Sequence, residues 1–264
     1  MTRRWREFLD GSVPSGHAVQ IYAHRSELVE SVTSYLTAGF EVEEPAIVVA
    51  RPENLVLFRE RLAALGWDEQ ETAGLLVVAD AEDTLAAIMR DDQPSAEAFE
   101  EIIGGLLDAV AQRSANGRPR VFGEMVDILC ERGLPEAAAA LEEIWNHALT
   151  QRRFSLLCAY RIDIFDRATQ LGTLRDVCGS HSHILPAYDT ARLSQAVDLA
   201  LEEILGYEEA GKVYFLVGEQ ARDQRVPVSE LALMWVSENT PLLADRVLAS
   251  ARARYARGPV PART

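Results

Sequence analysis

The chain has 264 residues, of which 48% are hydrophobic and 25% charged, enough apolar material to bury a core without disulfide or metal staples. Its 41 acidic residues outnumber the 26 basic ones, for a net charge of −15. That balance disfavours nucleic acid and anionic membrane as direct partners, because both attract a dense basic face. The basic N-terminus runs into Asp10 and Gly11 rather than an apolar core, and no apolar run approaches the roughly 20 residues of a spanning helix, so neither a secretory signal nor a membrane segment is expected. Three cysteines, Cys130, Cys158 and Cys178, are too few for a disulfide scaffold, and a cytoplasmic location is expected.

Beyond an N-terminal segment (1–15), short apolar runs alternate with stretches of helical period as far as Phe165, the pattern of an α/β fold with parallel crossovers. Strands are predicted at 17–23, 46–50, 75–79, 120–123 and 155–160. Most are continuous apolar runs, as in strands covered on both faces by helices. The intervening helices are read from Leu28, Val32, Tyr35 and Leu36; from Leu55, Phe58, Leu62 and Leu65, stopping at Gly66; from Phe99, Ile102, Ile103, Leu106 and Val110; and from an Ala-rich stretch opened by Pro135 and anchored by Leu141, Trp145 and Ala148. Residues 166–190 lack periodicity and read as a long connecting loop of functional character. Residues 191–256 read as a helical extension, with one helix ending near Gly206 and others at 229–238 and 241–255. The run 213–217 fits a strand or a buried helix equally well, and the tail 257–264 is expected to be disordered.

The first crossover, Tyr22-Ala23-His24-Arg25-Ser26-Glu27, contains no glycine, and the sole lysine is the distant Lys212. A phosphate cradle needs glycines for close backbone approach and an NTPase adds a lysine, so P-loop ATPase chemistry is disfavoured and no catalytic residue is assigned. Two strands end in acids, Asp80 and Glu124, where open α/β sheets meet their ligands. Asp80 is read first as a helix N-cap; Glu124 divides evenly between capping or pairing with an Arg and contacting a ligand. The segment Cys178-Gly179-Ser180-His181-Ser182-His183 carries a thiol and two imidazoles, which makes Cys178, His181 and His183 a candidate metal set needing a fourth ligand such as Asp176, Asp189 or His17. Apart from this metal no cofactor is expected.

Taken in order, His17-Ala18-Val19-Gln20-Ile21-Tyr22, Ala46-Ile47-Val48-Val49-Ala50, Val121-Phe122-Gly123-Glu124-Met125-Val126, Leu141-Glu142 with Trp145-Asn146, and Phe154-Ser155-Leu156-Leu157-Cys158-Ala159-Tyr160 resemble the MEDS domain, the methanogen/methylotroph sensory domain. The resemblance runs from His17 to about Asp189. It implies a RecA/KaiC-like fold lacking the P-loop, that is, a three-layer, mostly parallel α/β sheet (16–190) with a C-terminal helical extension, and places Glu124 near the position of an ATPase's Walker B acid. It also implies a small-molecule sensor for organic, hydrocarbon-like compounds. The ligand is expected at the C-terminal edge of the sheet, bounded by His17, Tyr22, Glu124, Tyr160, His181 and His183, with a signalling or transcription-regulatory protein as output partner; self-association into a homo-oligomer is left open. Two alternatives stand beside this reading: a metal-binding or Cys/His-dependent enzyme built on Cys178, His181 and His183, and a partner-switching protein in transcription control that uses the C-terminal helices.

Overall fold

The computed structural model describes residues 8–9, 16–113, 117–172, 181, 183–186, 189–223 and 226–257, without the side chains of 183–186 and 219–223. The predicted tail beyond Arg257 lies outside these residues, as does most of the N-terminal segment. The chain divides into two compact units, 1–161 with 180–185, and 162–179 with 186–264.

The first unit is built on strands β1 (Gly16–Tyr22), β2 (Ala46–Ala50), β3 (Leu76–Asp80), β6 (Arg120–Gly123), β7 (Ser155–Arg161) and β8 (His183–Pro186), in the sheet order β3-β2-β6-β7-β1-β8. The five strands from β3 to β1 pair in parallel. Every residue of β1 and β2 is buried, as a parallel strand covered on both faces requires. A small hairpin, β4 (Met89–Arg90) with β5 (Gln93–Pro94), turns through Asp91 and Asp92 at positive φ. Helices α1 (Arg25–Phe40), α2 (Pro52–Ala64), α3 (Ala81–Ile88), α4 (Ala96–Phe99), α5 (Gly105–Ala111), α6 (Met125–Glu131) and α7 (Pro135–Gln151) fill the crossovers, with a π-helical turn joining α4 to α5. Asp80 is the N-cap of α3, accepting from the amides of Glu82 and Asp83.

Strand alternation sorts the side chains into layers. The register pairs His17 with Leu156, Val19 with Cys158 and Ile21 with Tyr160, while Ala18 pairs with Leu157 and Tyr22 with Arg161. Successive residues point to opposite faces, so His17, Cys158 and Tyr160 share one face and Tyr22 the other. The first face meets α7, where the Tyr160 hydroxyl reaches Glu142. The second meets α1 and α2: the Tyr35 hydroxyl donates to the Ser155 carbonyl at 2.8 Å, and Phe58 packs edge-on against Phe122 at 5.5 Å. Trp145 anchors α7, edge-on to Phe99 at 4.7 Å and beside Phe154.

An ion pair lies within this core. Arg120 is 1% exposed; its Nε donates to Glu44 at 2.8 Å, its Nη1 to the Tyr35 carbonyl at 3.0 Å, and its guanidinium stacks over the Tyr35 ring. Gly39 of α1 lies against its stem, where an added Cβ would stand 2.6 Å from Arg120 Cδ.

The second unit is helical: α8 (Arg167–Leu171), α9 (Thr190–Leu205), α10 (Tyr207–Asp223), α11 (Val228–Asn239) and α12 (Pro241–Arg257). Helices α9 and α12 pack together, burying Ala196 and Ala200 on one and Ala244 and Ala251 on the other; such small side chains let two backbones come close. Gly206 ends α9 at φ 87°.

The parallel α/β sheet with its helical C-terminal region matches the expectation from the apolar runs, with one open alternative decided and one correction of detail. The run 213–217 is part of helix α10, because Ala210, Val213 and Val217 are buried at helical spacing. The segment 166–190 is not loop throughout: it holds α8, capped by the Asp166 carboxylate on the Thr169 amide, and β8. Helix α6 and the β4–β5 hairpin are short elements that carry no readable period. Among the described residues no helix is long and apolar enough to cross a membrane.

Removing one partner of a buried ion pair strands the other in low dielectric. Arg120→Ala, which leaves Glu44 buried without its guanidinium, is expected to lower unfolding free energy by about 3–5 kcal/mol in urea titrations.

Candidate functional site

The C-terminal ends of β2, β6 and β7 are joined by a closed network of acids around one arginine. Glu124 follows β6 directly and is fully buried. It stands at the N-cap position of α6 without capping it; its carboxylate instead accepts from the Arg51 amide at 2.8 Å and from Asn54 Nδ2 at 2.6 Å. Asp127, one turn into α6, accepts from the Arg161 amide at 2.8 Å. The Arg51 guanidinium spans the acids, donating to Asp127 and Glu131 at 2.8 Å each and lying 3.6 Å from Glu124. Burial pushes the Glu124 carboxyl up to about 7, although the Arg51 amide, its guanidinium and Asn54 oppose the rise. Burial likewise raises Asp127, and raises the Tyr22 hydroxyl with help from Asp127 and Glu124.

Above this network a cavity of about 360 Å³ opens, lined by Tyr22, Arg25, Arg51, Glu53, Asn54, Glu131 and Arg161. It sits at strand ends, where open α/β sheets bind ligands. At the adjoining crossover the Glu27 carboxylate of α1 accepts from the amides of Ala23 at 3.1 Å and His24 at 2.9 Å. Those are N–H groups that a phosphate would use at a helix N-terminus. A wider groove of about 810 Å³ lies on the outer side of α7, between Phe99, Ile144, Ala148 and Arg152.

A second polar centre lies inside the domain, on the face of the sheet toward α7. His17 Nδ1 contacts Asn146 Oδ1 at 2.9 Å, and its Nε2 stands 3.2 Å from both Cys158 Sγ and Glu142 Oε2. His181 Nε2 lies 3.2 Å from the other carboxylate oxygen, Glu142 Oε1, to which the Tyr160 hydroxyl donates at 2.6 Å. The two imidazoles lean on each other with centroids 4.1 Å apart. Burial and the neighbouring His181 lower His17 to about 4, against the pull of Glu142 and Asn146. Burial alone would raise Glu142, but His181, His17 and Tyr160 together bring it below its ordinary value. Burial raises the Cys158 thiol and the Tyr160 hydroxyl.

The residues predicted to bound one pocket therefore belong to two centres. Tyr22 lines the strand-end cavity and Glu124 lies buried in the network beneath it; His17, Tyr160 and His181 surround Glu142 instead. The cause is strand parity: His17 and Tyr22 are five positions apart on β1, an odd spacing that sends them to opposite faces. Of the predicted metal set, Cys178 and the side chain of His183 lie outside the described residues. His181 stands with His17, Glu142 and Cys158 rather than in a purely local cluster. Glu142, Asn146, Arg51, Asn54 and Asp127 were not singled out from the sequence. The helical i,i+4 spacing of Glu142 and Asn146 was the signal available, since it puts both on one side of α7.

The arrangement is that of a three-layer parallel α/β domain with its polar chemistry gathered at strand ends and under one covering helix. The family model for the methanogen/methylotroph, DcmR sensory domain (MEDS) matches residues 16–182, and the chain belongs to this family of sensory domains. No curated protein matches the chain.

The raised Glu124 carboxyl makes stability depend on pH. Between the ordinary carboxyl value of 4.5 and the folded value of about 7, the folded protein holds a proton that the unfolded chain has released, so stability falls as pH rises through that window. Urea titrations at stepped pH are expected to show Glu124→Gln flattening this decline, which for a shift of this size is on the order of 3 kcal/mol. An unchanged slope would assign the pH dependence elsewhere.

Proposed function

We propose that this protein is a sensory module that binds a small organic molecule in the cavity at the C-terminal edge of the sheet and passes the signal to a protein partner. The observation that carries the reading is the cavity of about 360 Å³ at the ends of β1, β2 and β7, within the size range of small-ligand sites. Family membership supplies the sensory role. The lining refines the ligand class. A hydrocarbon-like body suits the ring of Tyr22 and the arginine stems, while Arg161, with Arg25 already paired to Glu53, favours a ligand that also carries an acceptor group.

Binding without turnover fits the crossover, where Glu27 fills the donors that a nucleotide phosphate would need. For the output partner, helix α10 exposes Tyr207, Phe215 and Leu216, apolar groups suited to a signalling or transcription-regulatory protein. The thiol of Cys158 fits a reducing cytoplasm.

Thermal unfolding of the full chain against a library of small alcohols, acids, amines and halogenated compounds tests the reading. A ligand at a hundredfold excess over Kd adds about 2.7 kcal/mol, a rise of several degrees in Tm. Arg161→Ala, at an exposed position, is expected to reduce that rise by more than half without moving the ligand-free Tm. A library with no active member, or a ligand whose shift survives both Arg161→Ala and Tyr22→Phe, would refute the site.

A further inference from the structure

The centre beneath α7 is not used by the strand-end site, and its composition is that of a metal site. His17 comes from β1, Cys158 from β7, Glu142 from α7, and His181 from just ahead of β8; all four are buried, and their donor atoms lie within 4.8 Å of one another. A tetrahedral ion with bonds of about 2.0–2.3 Å holds its ligand atoms about 3.3–3.6 Å apart. The separations here are 3.2 Å for His17 Nε2 to Cys158 Sγ, 3.2 Å for His17 Nε2 to Glu142 Oε2 and 3.2 Å for His181 Nε2 to Glu142 Oε1. Three pairs are already near the spacing an ion would impose, each imidazole facing a different oxygen of Glu142, and the remaining separations, all within 4.8 Å, need only a small contraction to close on one ion.

The surrounding hydrogen bonds aim these atoms inward. With Asn146 Oδ1 accepting from His17 Nδ1, the imidazole carries its proton on Nδ1 and presents the Nε2 lone pair to Glu142 Oε2 and Cys158 Sγ. A lone pair facing a carboxylate oxygen repels it, and either a proton or a metal ion placed between them turns the contact favourable. Tyr160 holds the Glu142 carboxylate from behind, as outer hydrogen bonds fix ligands in metalloproteins. Charge balances as well: a divalent ion with one thiolate, one carboxylate and two neutral imidazoles forms a neutral centre, which removes the main cost of burying an ion. Nitrogen and sulfur donors select a borderline-soft metal over calcium or magnesium.

We propose that His17 Nε2, Cys158 Sγ, one oxygen of Glu142 and His181 Nε2 form a buried four-ligand site for a zinc-class divalent ion. Binding displaces the Cys158 thiol proton to solvent and leaves no open coordination position, so the ion is structural. It ties residue 181, far along the chain from the other ligands, to β1, β7 and α7.

Full-length protein stripped of metal and titrated with Co²⁺ tests this. Expected are one equivalent bound, visible bands of tetrahedral cobalt, and a near-ultraviolet thiolate-to-cobalt band, all abolished by stoichiometric Zn²⁺. The spectrum is expected to persist in a Cys130→Ser/Cys178→Ser double variant, which leaves Cys158 as the only thiol; its loss there would overturn the assignment. His181→Ala is expected to weaken Co²⁺ binding at least tenfold while far-ultraviolet circular dichroism is retained. Absence of stoichiometric binding by the wild-type chain, or a thiolate band that survives Cys158→Ser, would also overturn it. The wild-type and double-variant spectra decide the matter even if substitutions within the cluster fail to fold.

Discussion

A strand covered on both faces has no water for its polar side chains, so each polar residue on β1 and β7 must find its partner in the layer it points to. That requirement explains where the polar groups of this domain lie. His17 and Tyr160 point toward α7 and converge on Glu142. On the opposite side and at the strand ends, the amides of Arg51 and Arg161 are received by the carboxylates of Glu124 and Asp127. Two separate polar centres thus follow from one rule of strand geometry. The interior of the centre under α7 is inaccessible to solvent, whereas the strand-end network has a cavity above it.

The chain has many more acids than bases, and the buried arginines reflect that imbalance. Arg51 faces three carboxylates and Arg120 holds Glu44 together with a backbone carbonyl. A guanidinium suits both positions because its planar fork can serve two acceptors at once, which a point-charge ammonium does less well. With acids in surplus, a carboxylate in such a network keeps part of its burial penalty, and the elevated Glu124 carboxyl is that residue of cost. The same surplus acts at the first crossover, where a side-chain carboxylate fills a helix N-terminus and gains from its positive end.

The sheet was legible because most of its strands are apolar runs and its longer helices carry regular stripes; Asp80, Pro135 and Gly66 then punctuate them as local rules dictate. Short elements such as α6 and α8 were not legible, since fewer than two turns define no period and their ends are set by tertiary contacts. For the site, the residue types were visible and the grouping was not. His17 and Tyr22 looked like neighbours on one strand, yet an odd spacing separates them by the thickness of the sheet. The stripe of the Ala-rich helix was read from Leu141, Trp145 and Ala148, which does not tell what Glu142 and Asn146 face. Only the register of β1 against β7, which pairs positions more than a hundred residues apart, brings His17 and Cys158 onto the side where that helix lies.

Gly39 shows how far such dependence extends. Its missing side chain is the space in which the Arg120 stem lies, and Arg120 in turn neutralises Glu44. A helix residue, a residue in the turn before β2 and a central-strand residue are therefore one unit for purposes of change. Enlarging position 39 asks for a shorter residue at 120, which in turn asks for an uncharged residue at 44. Any of the three altered alone meets a clash or an orphaned charge, so a route to a purely apolar version of this corner has to pass through less stable intermediates or change all three positions together.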